Sequence, residues 1–265
     1  MIEAPTNARR YVTDLAIRGR YHLTSCELQA ALGISADAAK LALYRLAKQG
    51  DIASPARGFY VIVPPEYRRL GCLPPEQFLP ALMPLEGRDY YAGLLTAAQY
   101  HGAAHQRPQN FQVMVNKPRR PLHCGSVDVV FYTRKALAQV PVVSVNTPRG
   151  SLAVSSPEAT AIDLVGYITR SGGLSNVATV LLELAETIHG DRLVDAASTA
   201  PMAWLQRLGY LLDIVGASDK TTLLQSYVQS RSPQATGLAP GSVRDGSDYS
   251  DRWRLSVNDE LDLDI

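Results

Sequence analysis

Apolar positions recur at helical spacing from Asn7 to Arg18, where Ala8, Tyr11, Val12 and Leu15 share a face, and the pattern predicts a first amphipathic helix. Thr24 and Glu27 form a capping-box pair ahead of the apolar stripe Leu28, Ala31 and Leu32, which predicts a second helix stopping at Gly33. Only two residues further on, Ser35 is placed to cap a third helix. Its Ala39, Ala42, Leu43 and Leu46 fall on one face, and Gly50 terminates it. The stretch DIASPARGFYVIV then sets a Pro-Ala-Arg-Gly turn between two runs rich in β-formers, the pattern of a hairpin. Three helices and a hairpin predict a winged helix-turn-helix over residues 1–64.

Residues 65–87 are dense in proline and lack a clean period, and they read as a packed connector. Residues 88–265 read as a larger α+β domain. YYAGLLTAAQYHG predicts a small-residue helix, and NFQVMV, VDVVFY, VVSVN and SLAVS predict strands of a small mixed or antiparallel sheet. SSPEATAIDLVGYI opens a run of helices with Ser156 as cap and Pro157 at the first position. The stretch after residue 230 reads as loop until Trp253, Leu255 and Val257 alternate as a last strand.

A tight break between two short helices holds them at a steep angle, so that the first braces the second and the second projects a face outward. With the apolar stripe of the third helix buried, its outer half carries Asp37, Lys40, Leu41, Tyr44, Arg45 and Lys48. A duplex major groove accepts one helix. There lysine and arginine donate to guanine or phosphate, a tyrosine hydroxyl reaches phosphate, and a leucine touches a thymine methyl. Arg57 at the hairpin turn and Arg9 and Arg10 on the first helix are placed for phosphate contacts. Asp37 runs against this pattern unless it serves the helix amino terminus or accepts from cytosine.

Charge sharpens the picture. The 265 residues sum to +1, but the balance is +4 over residues 1–70, +4 over 71–155 and −7 over 156–265. A basic front suits a polyanion. Lys117, Arg119, Arg120, Arg134, Lys135 and Arg149 gather near predicted strand ends and are candidates for extending that surface, with scattered solubilising charge as the equal alternative. No apolar run is long enough to span a bilayer and the amino terminus lacks a signal-peptide pattern, so the expected location is cytoplasmic. The three cysteines, Cys26, Cys72 and Cys124, form no C-x-x-C pair and read as reduced thiols.

Catalytic constellations do not assemble from the sequence. His101 and His105 have the spacing of a zinc-protease helix, but Gly102 stands where the glutamate belongs, and adding His123 and Cys124 gives no recognised metal spacing. DVVFYTRK places Asp128 and Lys135 as in a metal-dependent nuclease, yet Thr133 occupies the position of the second carboxylate. Glu158 and Asp163, five apart on one helix, point in different directions. Gly172–Asn176 lacks the lysine of a phosphate loop. The expectation is a non-enzymatic chain with no cofactor and no metal.

Four blocks, RGFYVIVPPEY, YYAGLLTAAQYHGAAHQRPQNFQVMV, SSPEATAIDLV and the terminal DRWRLSVNDELDLDI, resemble in order the AbiEi antitoxins of type IV toxin–antitoxin (abortive infection, phage defence) systems. The resemblance covers nearly the whole chain. It implies an autorepressor that binds inverted repeats in double-stranded operator DNA and counters a nucleotidyltransferase toxin without a stable complex. It also implies a monomer or weak dimer, cooperative on DNA. Two alternatives remain open: a ligand-sensing winged-helix transcription factor, in which the α+β domain binds a small molecule, and a metal-dependent nuclease.

Overall fold

The computed structural model describes residues 7–103, 108–231, 234–243 and 245–261. His105 of the histidine pair therefore lies outside the described residues. The chain is α+β, and it begins with α1 (Ala8–Ile17), β1 (His22–Thr24), α2 (Ser25–Leu32), α3 (Ala36–Lys48), β2 (Ile52–Ala56) and β3 (Phe59–Ile62). The strands form a three-stranded antiparallel sheet in the order β1-β3-β2. Val12, Leu15, Leu23, Leu28, Ala39, Leu43, Leu46, Ile52 and Ile62 close one core between helices and sheet. This is the winged helix-turn-helix arrangement, with β1 added to the hairpin that the sequence predicts. β1 is too short for its alternation to stand out, and tertiary pairing creates it.

The proline-rich segment contains a true helix, α4 (Pro75–Leu85), with Pro75 at its first position and Pro80 and Pro84 inside it. Its core side is Phe78, Leu79, Leu82 and Met83, all buried. The two interior prolines sit on the opposite, more exposed side, Pro80 half-buried and Pro84 exposed. Prolines hide such a helix from a periodicity argument.

Next come β4 (Tyr90–Ala92), α5 (Leu94–Tyr100), β5 (Phe111–Val115), β6 (Leu122–Cys124), β7 (Val127–Thr133), β8 (Val142–Thr147) and β9 (Gly150–Ser155). They build a six-stranded mixed sheet in the order β6-β7-β5-β4-β9-β8. β4 corrects the expectation of one helix over YYAGLLTAAQYHG. Tyr90 to Ala92 pair with β5 on one side, and Ala92 pairs with Val154 of β9 on the other. Gly93 then starts α5, at a point where a Cβ would meet the Met114 side chain at 2.5 Å. The helical remainder is α6 (Pro157–Gly166), α7 (Leu174–Leu184), α8 (Gly190–Ala197), α9 (Met202–Ile214) and α10 (Thr222–Gln229). The final stretch, expected to be loop with one strand, folds into a small sheet of β10 (Thr236–Gly237), β11 (Asp248–Ser250) and β12 (Leu255–Val257). Trp253 just ahead of β12 is buried so close to Gly209 that a Cβ there would meet its ring at 2.2 Å.

Two features tie the winged helix and the connector after it to the rest. Phe59, Val61 and Val63 share a core with Leu79 and Met83 of α4 and with Val113, Leu122 and Val129 of the large sheet. At the β6–β7 turn, the Ser126 N–H donates to the Leu70 carbonyl at 2.7 Å. A Cβ on Gly125, whose φ is +60°, would stand 2.3 Å from that same oxygen. The hydrophobic interior thus runs without a break across position 64.

Candidate nucleic-acid interface

The turn between α2 and α3 is built by caps. Thr24 Oγ1 accepts the Glu27 N–H at 3.2 Å, and Glu27 Oε2 accepts the Thr24 N–H at 2.6 Å. Burial raises the Glu27 carboxyl, but the hydrogen bonds from Arg20 and Thr24 outweigh it and hold the group below its usual range. Gly33 closes α2 in the left-handed region at φ +62°, and Ser35 Oγ accepts the Ala38 N–H at 3.3 Å to open α3. A helix end and a helix start are satisfied within three residues, so the chain turns sharply without leaving buried amide groups unpaired.

Ala39, Leu43 and Leu46 of α3 are buried and Ala42 is half-buried. The outward side is Asp37, Lys40, Leu41, Tyr44, Arg45 and Lys48, every one exposed. Leu41 is 49% exposed and Tyr44 65%, so this side of α3 offers two large side chains to solvent one turn apart, as Ile17 on α1 and Leu223 on α10 do singly. Lys40, Arg45, Lys48 and Arg57 make no ion pair among the described residues. Asp37 sits in the first turn, where the helix dipole favours a carboxylate, which accounts for it without any partner.

The flanking cations divide into groups. Arg57 is exposed at the wing turn, where Gly58 takes φ +76°. It lines a groove of about 660 Å³ with Arg88, Arg119, Arg120 and His123. Wing and sheet loop are thus brought together. Arg9 is exposed but engaged: its guanidinium donates to Gln49 and pairs with Asp51 at 2.9 Å. Arg10, also exposed, gives its backbone N–H to the Asn7 cap. Within the groove Arg119 forks onto Glu86 with two bonds of 2.8 Å and lies 4.3 Å over the Phe131 ring, and this pairing holds the Glu86 carboxyl below its ordinary range. Lys117, Arg120 and Lys135 are exposed.

Two cations of that expected surface are elsewhere. Arg134 is 3% exposed, bonded through Nε to Asp163 at 2.8 Å and stacked 4.9 Å from the Trp204 ring. Asp163, fully buried, also accepts the Tyr91 hydroxyl at 2.6 Å; burial pushes its carboxyl up against the pull of both donors. Arg134 therefore faces the interior, because the carboxylate on α6 needs a counter-charge there. Arg149, at the β8–β9 turn, reaches the winged helix instead. Its guanidinium lies 3.7 Å over Tyr21, 5.7 Å from the Tyr67 ring centroid, and donates to Gln77. Neither position is marked in sequence, since a buried pair 29 residues apart leaves no local pattern.

Of the side chains weighed for catalysis, Asp128 is hydrogen-bonded to His123 across β6 and β7, and His101 Nε2 meets the Ser155 carbonyl at 2.7 Å. Glu158 accepts the His189 N–H at 3.2 Å, far in role from Asp163. Among the described residues no helix is long and apolar enough to cross a membrane.

A family model covers the sheet strands from β4 onward and the helices through α9. Residues 91–214 match the AbiEi antitoxin C-terminal domain. This is the family that the four sequence blocks resemble, and the match ends before α10 and the small sheet of β10 to β12. The RV2827C protein from Mycobacterium tuberculosis has a crystal structure similar to the whole chain: TM-score 0.66 and 21% identity, over 96% of this chain and 92% of that one. The likeness is one of fold, and it extends through the winged helix. No curated protein matches the chain.

Proposed function

We propose that the chain is a sequence-specific DNA-binding autorepressor and the antitoxin of a type IV system, countering a nucleotidyltransferase toxin. The observation that carries the DNA-binding part is the outward side of α3. It exposes Leu41 and Tyr44 among three cations that make no ion pair among the described residues, on a helix braced by the capped turn. In this reading α3 enters the major groove of operator DNA, Lys40 and Arg45 donate to base edges or phosphate, and Leu41 packs on a thymine methyl. Arg57 and Arg120, which line one groove, hold backbone phosphates beside it. The AbiEi domain supplies the antitoxin part. Nothing in this action requires catalysis: occupancy of the operator excludes polymerase.

The test is a gel-shift titration on the promoter fragment of the chain's own operon, repeated over a range of salt. Tight binding whose logarithm falls linearly with log salt supports the reading. Binding equal for operator and scrambled DNA, or a Leu41→Ala and Tyr44→Ala pair with unchanged sequence preference, overturns it. If a nucleotidyltransferase gene lies beside this one, co-expressing the two tests the antitoxin part, where restored growth is expected.

A further inference from the structure

β8 is an open edge of the large sheet. The opposite edge strand, β6, lies against β2 of the wing, whereas β8 has only β9 beside it among the described residues. Natural edge strands are guarded by charges, prolines, bulges or a covering element. β8 has none of these within its length: VVSVNT is uncharged, its register with β9 runs unbroken from Val142 to Thr147, and Val142 is 50% exposed. Pro141 and Pro148 delimit it.

The hydrogen-bonding parity of this edge follows from one bond. The Ser156 N–H donates to the Pro141 carbonyl at 2.9 Å, so the odd-numbered residues 141 to 147 use their backbone groups toward β9. In an antiparallel pair the intervening residues turn theirs the other way. Val142, Ser144 and Asn146 thus present N–H and C=O groups to the open side, in a pattern that an identical strand complements about a two-fold axis.

We infer that β8 pairs antiparallel with β8 of a second copy of this chain, with Ser144 on the axis. In that register Ser144 faces Ser144, Val142 faces Asn146, and Val143 faces Val145, so residues 142 to 146 pair with one another, Thr147 falls opposite Pro141 just outside the strand, and β-branched side chains meet across the seam. Charge selects the occupant. An uncharged strand meets its own copy without like-charge repulsion, and it offers a charged segment nothing to pair with. Area sets the strength. Six residues give roughly 20 Å of edge, an interface short of the ~1,200 Å² that stable complexes bury, so the pairing is reversible and concentration-dependent.

The proposal stands apart from DNA binding and is tested without DNA. Sedimentation equilibrium of the full chain over a concentration series is expected to show a mass rising from one chain toward two. Ser144→Pro removes only an outward N–H, so it should abolish the rise and leave the melting temperature unchanged. Ser144→Lys, which keeps the N–H, should abolish it by setting two ammonium groups across the axis. Conversely, Ser144→Cys in a Cys26→Ser background should oxidise to a covalent dimer, because facing residues of a hydrogen-bonded pair stand about 5.5 Å apart. A wild-type mass of one chain at every concentration overturns the proposal, as does Ser144→Cys cross-linking no faster than the exposed Cys26 of the wild type. Dimerisation that survives both Ser144→Pro and Ser144→Lys places the interface elsewhere and overturns it too. So does protection of the β8 amides from hydrogen exchange only on addition of a nucleotidyltransferase.

Discussion

Two arginines that the sequence offers for a polyanion surface have opposite roles in the fold. Arg57 is exposed at a turn and Arg134 is enclosed with Asp163, Tyr91 and Trp204. Substitution separates them. Arg134→Met leaves the Asp163 carboxylate buried with one donor fewer, and the expected loss is about 3–5 kcal/mol in a denaturant titration. Arg57→Ala changes stability by less than about 0.5 kcal/mol. On the proposed operator-binding role the order should reverse: Arg57→Ala and Lys48→Ala are each expected to flatten the salt slope by about one unit per lost phosphate contact and to weaken binding across sequences. Leu41→Ala and Tyr44→Ala change which sequence is preferred, read by competition between operator variants. Equal salt slopes for wild type, Lys48→Ala and Arg57→Ala would remove both cations from the interface.

The helix-turn-helix was legible because its signals are local: the Thr24–Glu27 box, Gly33 and Ser35 lie within a dozen residues, and each is a cap whose partner sits three or four positions away. Those caps make a testable unit. Thr24→Ala should lower stability by about 1 kcal/mol. Glu27 is held below the ordinary glutamate value of about 4.3, so its contribution is present above that pH and is lost as pH falls through the lower folded value. Glu27→Gln should therefore destabilise at neutral pH and differ little from wild type in strong acid, which melts at a series of pH values will show. What stayed illegible is non-local. β4 and β9 are parallel neighbours separated by more than fifty residues, and β5 pairs with β7 across an intervening strand. Alternation marks a strand but carries no address for its partner. α4 failed to show for a different reason, since Pro80 and Pro84 mask a helix whose buried side is Phe78, Leu79, Leu82 and Met83.

At the scale of the whole molecule the winged helix and the AbiEi domain are joined by a common interior. Phe59, Val61 and Val63 pack on α4 and on the inner faces of β5, β6 and β7. Phe59→Ala should cost about 3–5 kcal/mol, and because the cavity lies in the shared region, far-ultraviolet ellipticity and the fluorescence of Trp204 and Trp253 should shift together. Two separate transitions would show instead that the halves unfold independently. Arg149 adds a polar tie, stacked on Tyr21 with its hydrogen bond on α4. The uninterrupted interior also limits how a lineage of such proteins can acquire a new reading head. Recombination that swaps residues 1–64 wholesale would set foreign side chains against α4 and the sheet in place of Phe59, Val61 and Val63. Viable crossovers must leave those wing residues with the resident partner, and on the proposed DNA-binding role new specificity is more readily reached by point changes on the exposed outward side of α3.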